Sequence, residues 1–210
     1  MSLQTPTPRL VDRYVEQFRA DERYFLADEA ILTLFQTFPH NLKLHDILLK
    51  ISVLNDLYGT NIYATFMMAR HIHALNIDPH LRAHSTEIVD RIAHVTLGGK
   101  ARHVYSFATK YCSWHDQANY PIYDSFVERV LLAYKAQDAF HDFTKLDLRD
   151  YAKYKQTLEA FRSFYSLTNY SFKVLDKALW LHGKAHFGKN TNRQRRAQHV
   201  VGPERGERVS

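Results

Sequence analysis

The sequence predicts an all-α protein. Apolar residues recur at helical spacing along the chain, Pro and Gly-containing breaks separate the stripes, and alternating β-branched runs are absent. Leu10, Tyr14, Val15 and Phe18 form the first stripe, and Phe25, Leu26, Ile31, Leu32, Leu34 and Phe35 the second, which Pro39 ends. A third helix runs from Asp46 to Leu57 with Ile47, Leu48, Ile51 and Leu54 on one side; Tyr58-Gly59-Thr60-Asn61 breaks it. The fourth spans about 62–75 and stops at Asn76-Ile77-Asp78-Pro79. Ser85, with Glu87 and Asp90, reads as the start of a helix carrying Ile88, Val89, Ile92 and Val95 up to Gly98-Gly99. An aromatic-rich helix follows from about 100 to 115. Asp124 or Ser125 caps the next, to about 134. Helices near 148–167 and 172–182 complete the body.

Composition narrows the function classes. Of 210 residues, 45% are hydrophobic and 24% charged, as in an ordinary soluble globular protein. No apolar run approaches a membrane span, and MSLQTPTPRL has no signal core, so no membrane partner and no export are expected. The single cysteine, Cys112, excludes an internal disulfide and a cysteine-built zinc or iron–sulfur site and suits a reducing cytoplasm. The pair His71 and His73 falls on different helix faces, a poor metal site. No cofactor or metal is expected. Of the net charge of +6, the segment from Gly183 carries +5, with seven Lys or Arg (Lys184 among them) against Glu204 and Glu207. The expected organisation is one helical domain over 1–182 and a basic, flexible tail over 183–210. Such a tail favours polyanions, or is simply a solvated terminus.

Residues 96–127 carry the densest chemistry. Gly98-Gly99, read as a turn between two helices, would let backbone N–H groups at a helix start approach a phosphate; the alternative is an ordinary glycine C-cap. Tyr120-Pro121-Ile122-Tyr123-Asp124 then places a carboxylate at a helix N-terminus, where the dipole favours its charged form; an N-cap alone explains it equally.

The stretch FATKYCSWH…YPIYDSFV, residues 106–127, resembles the helix-hairpin-helix DNA glycosylases, in particular small bacterial relatives of 8-oxoguanine glycosylase. The resemblance implies a helix-hairpin-helix fold with a cleft for DNA and base between two helical lobes, and Asp124 as the catalytic aspartate. It also implies a lysine facing that aspartate. Lys110 in Ala108-Thr109-Lys110 is similar to the family's Gly-Thr-Lys, whereas Lys100 directly follows the glycines. The hairpin departs from the family's Leu-Pro-Gly-Val-Gly form, having no proline and adjacent glycines. Upstream, residues 53–61 are similar to the turn these enzymes push into the duplex, so Asn55, Tyr58, Thr60 and Asn61, with Gly98, Gly99 and Lys184, are the expected DNA contacts. Tyr111, Trp114 and Tyr123 are the expected base pocket, or else core aromatics. The implied protein is a monomeric DNA N-glycosylase, nucleoid-associated in the cytoplasm. It would act on double-stranded DNA, excising a damaged base in repair or a modified base in defence against phage. Its chemistry would be Asp124 stabilising positive charge on the sugar, with lysine attack leading to strand cleavage or, without it, simple hydrolysis. A non-catalytic DNA-binding module of the same fold and a helical protein–protein adaptor are the other classes.

Overall fold

The computed structural model describes residues 2–198, with side chains through residue 188. Among these residues the protein is mainly helical. In order come α1 (Pro8–Ala20), α2 (Glu22–Thr37), α3 (Leu44–Tyr58), α4 (Thr65–Leu75), α5 (Asp78–Arg82), α6 (Glu87–Ala93), strands β1 (His94–Leu97) and β2 (Lys100–His103), α7 (Tyr105–His115), α8 (Ser125–Asp138), a 3₁₀ turn (Asp147–Arg149), α9 (Tyr151–Phe164) and α10 (Phe172–Gln198).

The helix limits follow local chemistry. Thr7 caps α1 by accepting from the Leu10 N–H, and Pro8 occupies the first helical position, where no amide hydrogen is needed. Asp21 ends α1 and caps α2 through the Arg23 N–H (3.0 Å). Gly59, at φ 57°, stops α3 in the left-handed conformation. Asp124, rather than Ser125, is the cap of α8.

Two sequence expectations are corrected. Gly98-Gly99 does not join two helices. It is the two-residue turn of an antiparallel hairpin pairing Val95 with Arg102 and Leu97 with Lys100. Both glycines have positive φ (57° and 75°), as a turn matching the twist of paired strands requires. The helix expected from about residue 100 therefore starts at Tyr105. The second correction is at Gly183, where the chain does not leave its last helix: α10 continues to Gln198. A Cβ at Gly183 would lie 2.8 Å from both the Cβ and the carbonyl oxygen of Phe126, so this glycine is the close crossing of α10 over α8. Residues 199–210 of the expected tail, with Arg205 and Arg208, lie outside the described residues.

α10 is the organising element, packing along both α1 and α8 and joining the N-terminal helices to the central ones. α3 lies on α4, α6 on α7, and α2 reaches α1, α3 and α7. One continuous core runs from Leu3 to Leu179. Among the described residues no helix is long and apolar enough to cross a membrane.

Candidate active site

A cleft of about 200 Å³ opens where α2, α3, α7, the start of α8 and α10 converge. Two helices present matching stripes to it. Tyr24, Ala27, Asp28 and Ile31 of α2, and Lys173, Asp176, Lys177 and Trp180 of α10, each follow the i, i+3, i+4, i+7 spacing of one helix face. Phe18, Leu57, Tyr58, Lys110, Ile122 and Asp124 complete the lining.

Lys110 and Asp124 are brought together by a set of hydrogen bonds between α7 and the segment preceding α8. The Tyr123 N–H donates to Thr109 Oγ1 (3.0 Å), and the Ser106 hydroxyl donates to the Tyr123 carbonyl (3.2 Å). Lys110 Nζ donates to Ser106 Oγ (2.5 Å), one residue away from Asp124 through this relay. The two preceding carbonyls are held from α9: Tyr151 donates to Pro121 O (3.0 Å) and Tyr154 to Ile122 O (2.6 Å). Every carbonyl from Pro121 to Tyr123 is thus engaged, which fixes the backbone that aims Asp124.

The electrostatics differ from group to group. Lys110 is only 4% exposed, and burial lowers its amine below the ordinary lysine range against the opposing pull of Asp124 and Asp176. Asp124 is half-buried, and its Oδ1 accepts the Phe126 N–H (2.8 Å) at the positive end of α8. Burial first, then the charges of Asp124 and Asp28, push the Asp176 carboxyl up to about 7, with Lys173 and Lys110 opposing. Asp176 has no hydrogen bond or ion pair among the described residues. Asp28 instead pairs with both Lys173 (3.4 Å) and Lys177 (2.5 Å). One end of the cleft is aromatic: Phe18 stacks on Tyr24 (centroids 5.3 Å apart), Tyr24 meets Trp180 edge-on (5.2 Å), and Lys184 lies over both the Tyr24 and Trp180 rings.

Residues 10–119 match the HI_0787_N family, over the region described as its N-terminal domain. The chain belongs to the HI_0787_N family. A protein of Haemophilus influenzae (strain ATCC 51907 / DSM 11121 / KW20 / Rd), described as an uncharacterized protein, is 42% identical to it over 147 residues, 70% of each chain. No solved structure matches. The part matched to the HI_0787_N family includes Lys110 and ends ahead of Asp124 and Asp176.

The cleft sorts the residues singled out from sequence. Lys110, Asp124 and Tyr58 line it, and Lys184 stands at its aromatic end. Lys100 is exposed on β2, a placement that follows from the hairpin, and does not line the cleft. Tyr111, Trp114 and Tyr123 do not line it either. Each is buried in the core, where Tyr111 donates to Asn41 Oδ1 (2.6 Å), Tyr123 donates to Glu128 Oε2 (2.5 Å), and Trp114 lies beneath the Lys173 ammonium (3.7 Å). Asn55 folds its own turn, accepting from the Thr60 hydroxyl (2.9 Å) and the Ile62 N–H (2.7 Å), so Asn55 Oδ1 and the Thr60 hydroxyl proton are engaged within the turn. Asn61 is exposed in the left-handed conformation (φ 58°). Sequence reading passed over Asp28, Lys173, Asp176, Lys177 and Trp180. The signal available was the i, i+3, i+4, i+7 spacing of polar residues on α10, on a face that an amphipathic packing helix would keep apolar. His71 and His73 each bond a backbone carbonyl, of Arg91 and Leu42.

Proposed function

We propose that this protein is a DNA N-glycosylase whose centre is Lys110 and Asp124. The observation carrying this reading is their joint placement at one cleft, with the amine tied through Ser106 to the backbone that aims the carboxylate. A base turned out of the duplex would enter between the aromatic side chains at the Tyr24–Trp180 end, since flipped bases are held by stacking. Breaking the bond between C1′ and the base builds positive charge on the sugar, which the Asp124 carboxylate stabilises. The buried Lys110 amine holds its proton less firmly than an exposed lysine and so supplies the lone pair that attacks C1′. Ring opening then gives a Schiff base, from which β-elimination cuts the strand.

On the surface, Tyr63 is 91% exposed, and Phe66, Met67 and the cleft-lining Leu57 are also exposed. These apolar groups, rather than Asn55 and Thr60, are the ones free to fill the gap a flipped base leaves.

Borohydride trapping on a duplex with an abasic site tests the centre. A covalent adduct should form with wild type and with Lys100→Gln, and be lost in Lys110→Gln. Asp124→Asn should slow base release by roughly 100-fold or more. An adduct that survives Lys110→Gln would sink this assignment.

A further inference from the structure

We propose, resting on the glycosylase reading, that Asp176 is a second catalytic residue of this cleft: the acid that delivers a proton to the base as it leaves. Asp176 stands one helical turn before Trp180 on the same face of α10 and also feels the charges of Asp124 and Lys110, so its carboxyl lies between the aromatic, base end of the cleft and the Lys110–Asp124 pair. Lys110 and Asp124 enter from α7 and the start of α8, at the sugar end.

Three features of its surroundings suit the role. First, neither carboxyl oxygen has a hydrogen bond or ion pair among the described residues, although Lys173 and Lys177 on the same helix are both paired to Asp28. A half-buried carboxyl left without a donor finds its partner in whatever fills the cleft. Second, behind it lies an apolar void of about 10 Å³ lined by Pro121, Ile122, Val127, Leu175 and Leu179, barely the size of one water. On that side Asp176 therefore faces apolar walls with space for at most one water. Third, the two carboxylates of the cleft are treated oppositely. Asp124 accepts the Phe126 backbone N–H at the N-terminus of α8. Asp176 has no such donor. The charged groups around it are Asp124 on α8, Lys110 on α7, Asp28 on α2, and Lys173 and Lys177 on α10. Their sum with burial leaves it titrating at about 7. Two carboxyls with opposed environments at one site are the pattern of an acid and an anion dividing the work.

The step balances. The bond from C1′ to the base breaks and its electron pair goes to the base. The Asp176 proton moves to the base nitrogen that gains this charge. The Lys110 lone pair forms the new C1′–N bond, and the proton this nitrogen must lose passes to Asp124. Solvent returns a proton to Asp176 once the base has left.

The test uses the full chain with three duplexes, carrying 8-oxoguanine, 7-methylguanine or a ready-made abasic site. Asp176→Asn should release 8-oxoguanine about 10²–10⁴-fold more slowly. Measured against Asp176→Asn at the same pH, the wild-type rate should show an alkaline limb, a tenfold fall in the ratio per pH unit above about 7, because the acid form is lost there while both proteins need the same neutral Lys110 amine. 7-Methylguanine, already cationic, needs no proton and should be released by the variant nearly as fast as by wild type. Trapping on the abasic duplex, where no base departs, should persist in the variant, no slower than in wild type, and so reports an intact fold. Asp176→Glu should recover part of the 8-oxoguanine rate together with the alkaline limb. Equal loss on all three duplexes in Asp176→Asn, with no recovery in Asp176→Glu, overturns the acid role. Wild type that traps abasic DNA yet releases neither base overturns it too, with Lys110 left standing. Wild type that does neither removes the glycosylase reading along with it.

Discussion

Individual side chains set the chemistry here through burial more than through identity. Lys110 and Lys173 are both buried lysines whose amines are lowered by desolvation, but Lys173 lies against the Asp28 carboxylate and over an indole, whereas Lys110 has no ion pair among the described residues and meets the Ser106 hydroxyl and the Tyr58 ring. In the proposed mechanism only the neutral amine attacks, so trapping on abasic DNA should increase with pH until Lys110 is fully deprotonated. Asp176 has a consequence for stability as well. Its folded value of about 7 lies above that of an unfolded aspartate, so the folded chain binds the extra proton between about pH 4 and 7. The stabilisation this proton brings is complete below about pH 4 and is lost as pH rises through 7. Removing the charge should therefore help the fold most at high pH. Asp176→Asn is expected to unfold at higher urea than wild type at pH 8, by about 1–3 kcal/mol, with the gain shrinking towards pH 4. Urea titrations at the two pH values check this, and an equal gain at both would show that ionisation is not the cause.

Among the elements, the segment Pro121–Tyr123 and the crossing of α10 over α8 do most to place the cleft. Tyr154→Phe removes the 2.6 Å bond to the Ile122 carbonyl and leaves that oxygen buried without a donor. A loss of about 1–3 kcal/mol is expected, together with slower base release as the aim of Asp124 loosens. Thermal unfolding and single-turnover rates measure the two effects separately. Gly183→Ala puts a methyl group 2.8 Å from the Phe126 backbone oxygen, and that backbone cannot swing aside as a flexible side chain would. The expected cost is about 1–3 kcal/mol, a fall in Tm of roughly 3–10 °C. An unchanged Tm would mean that the helices separate freely at this crossing. Substituting Gly99 with Val should strain the hairpin turn yet leave Lys110 trapping intact, since β1 and β2 contribute nothing to the cleft.

At the scale of the molecule, the first helix closes onto the last. Removing residues 1–21 takes away α1, strips α10 of a packing partner and deletes Phe18 from the cleft wall. The shortened chain should lose its cooperative unfolding transition as well as trapping; retention of both would show that α1 is dispensable. The helical spacing of apolar residues determined the all-α character and most helix limits, because burying one face of each helix is a local pattern. Thr7, Asp21 and Asp124 are caps readable from residue type; the resemblance of 106–127 offered Asp124 with either Lys100 or Lys110, and only the fold shows that Lys110 lines the cleft with it. The Gly98-Gly99 turn was misjudged because adjacent glycines suit a helix end and a hairpin alike, and only the pairing of His94–Leu97 with Lys100–His103 separates them. Which aromatic residues face the cleft was not legible either. Tyr111 and Trp114 are as aromatic as Tyr24 and Trp180, and what sends one pair inward and the other to the cleft is how α2 and α10 cross the central helices. The sequence by itself determined most of the helices and singled out Asp124 with two candidate lysines. The tertiary structure alone decided that α2 and α10 supply the remaining walls and that Asp176 joins the site, because contacts between residues some 150 positions apart leave no local periodicity to read.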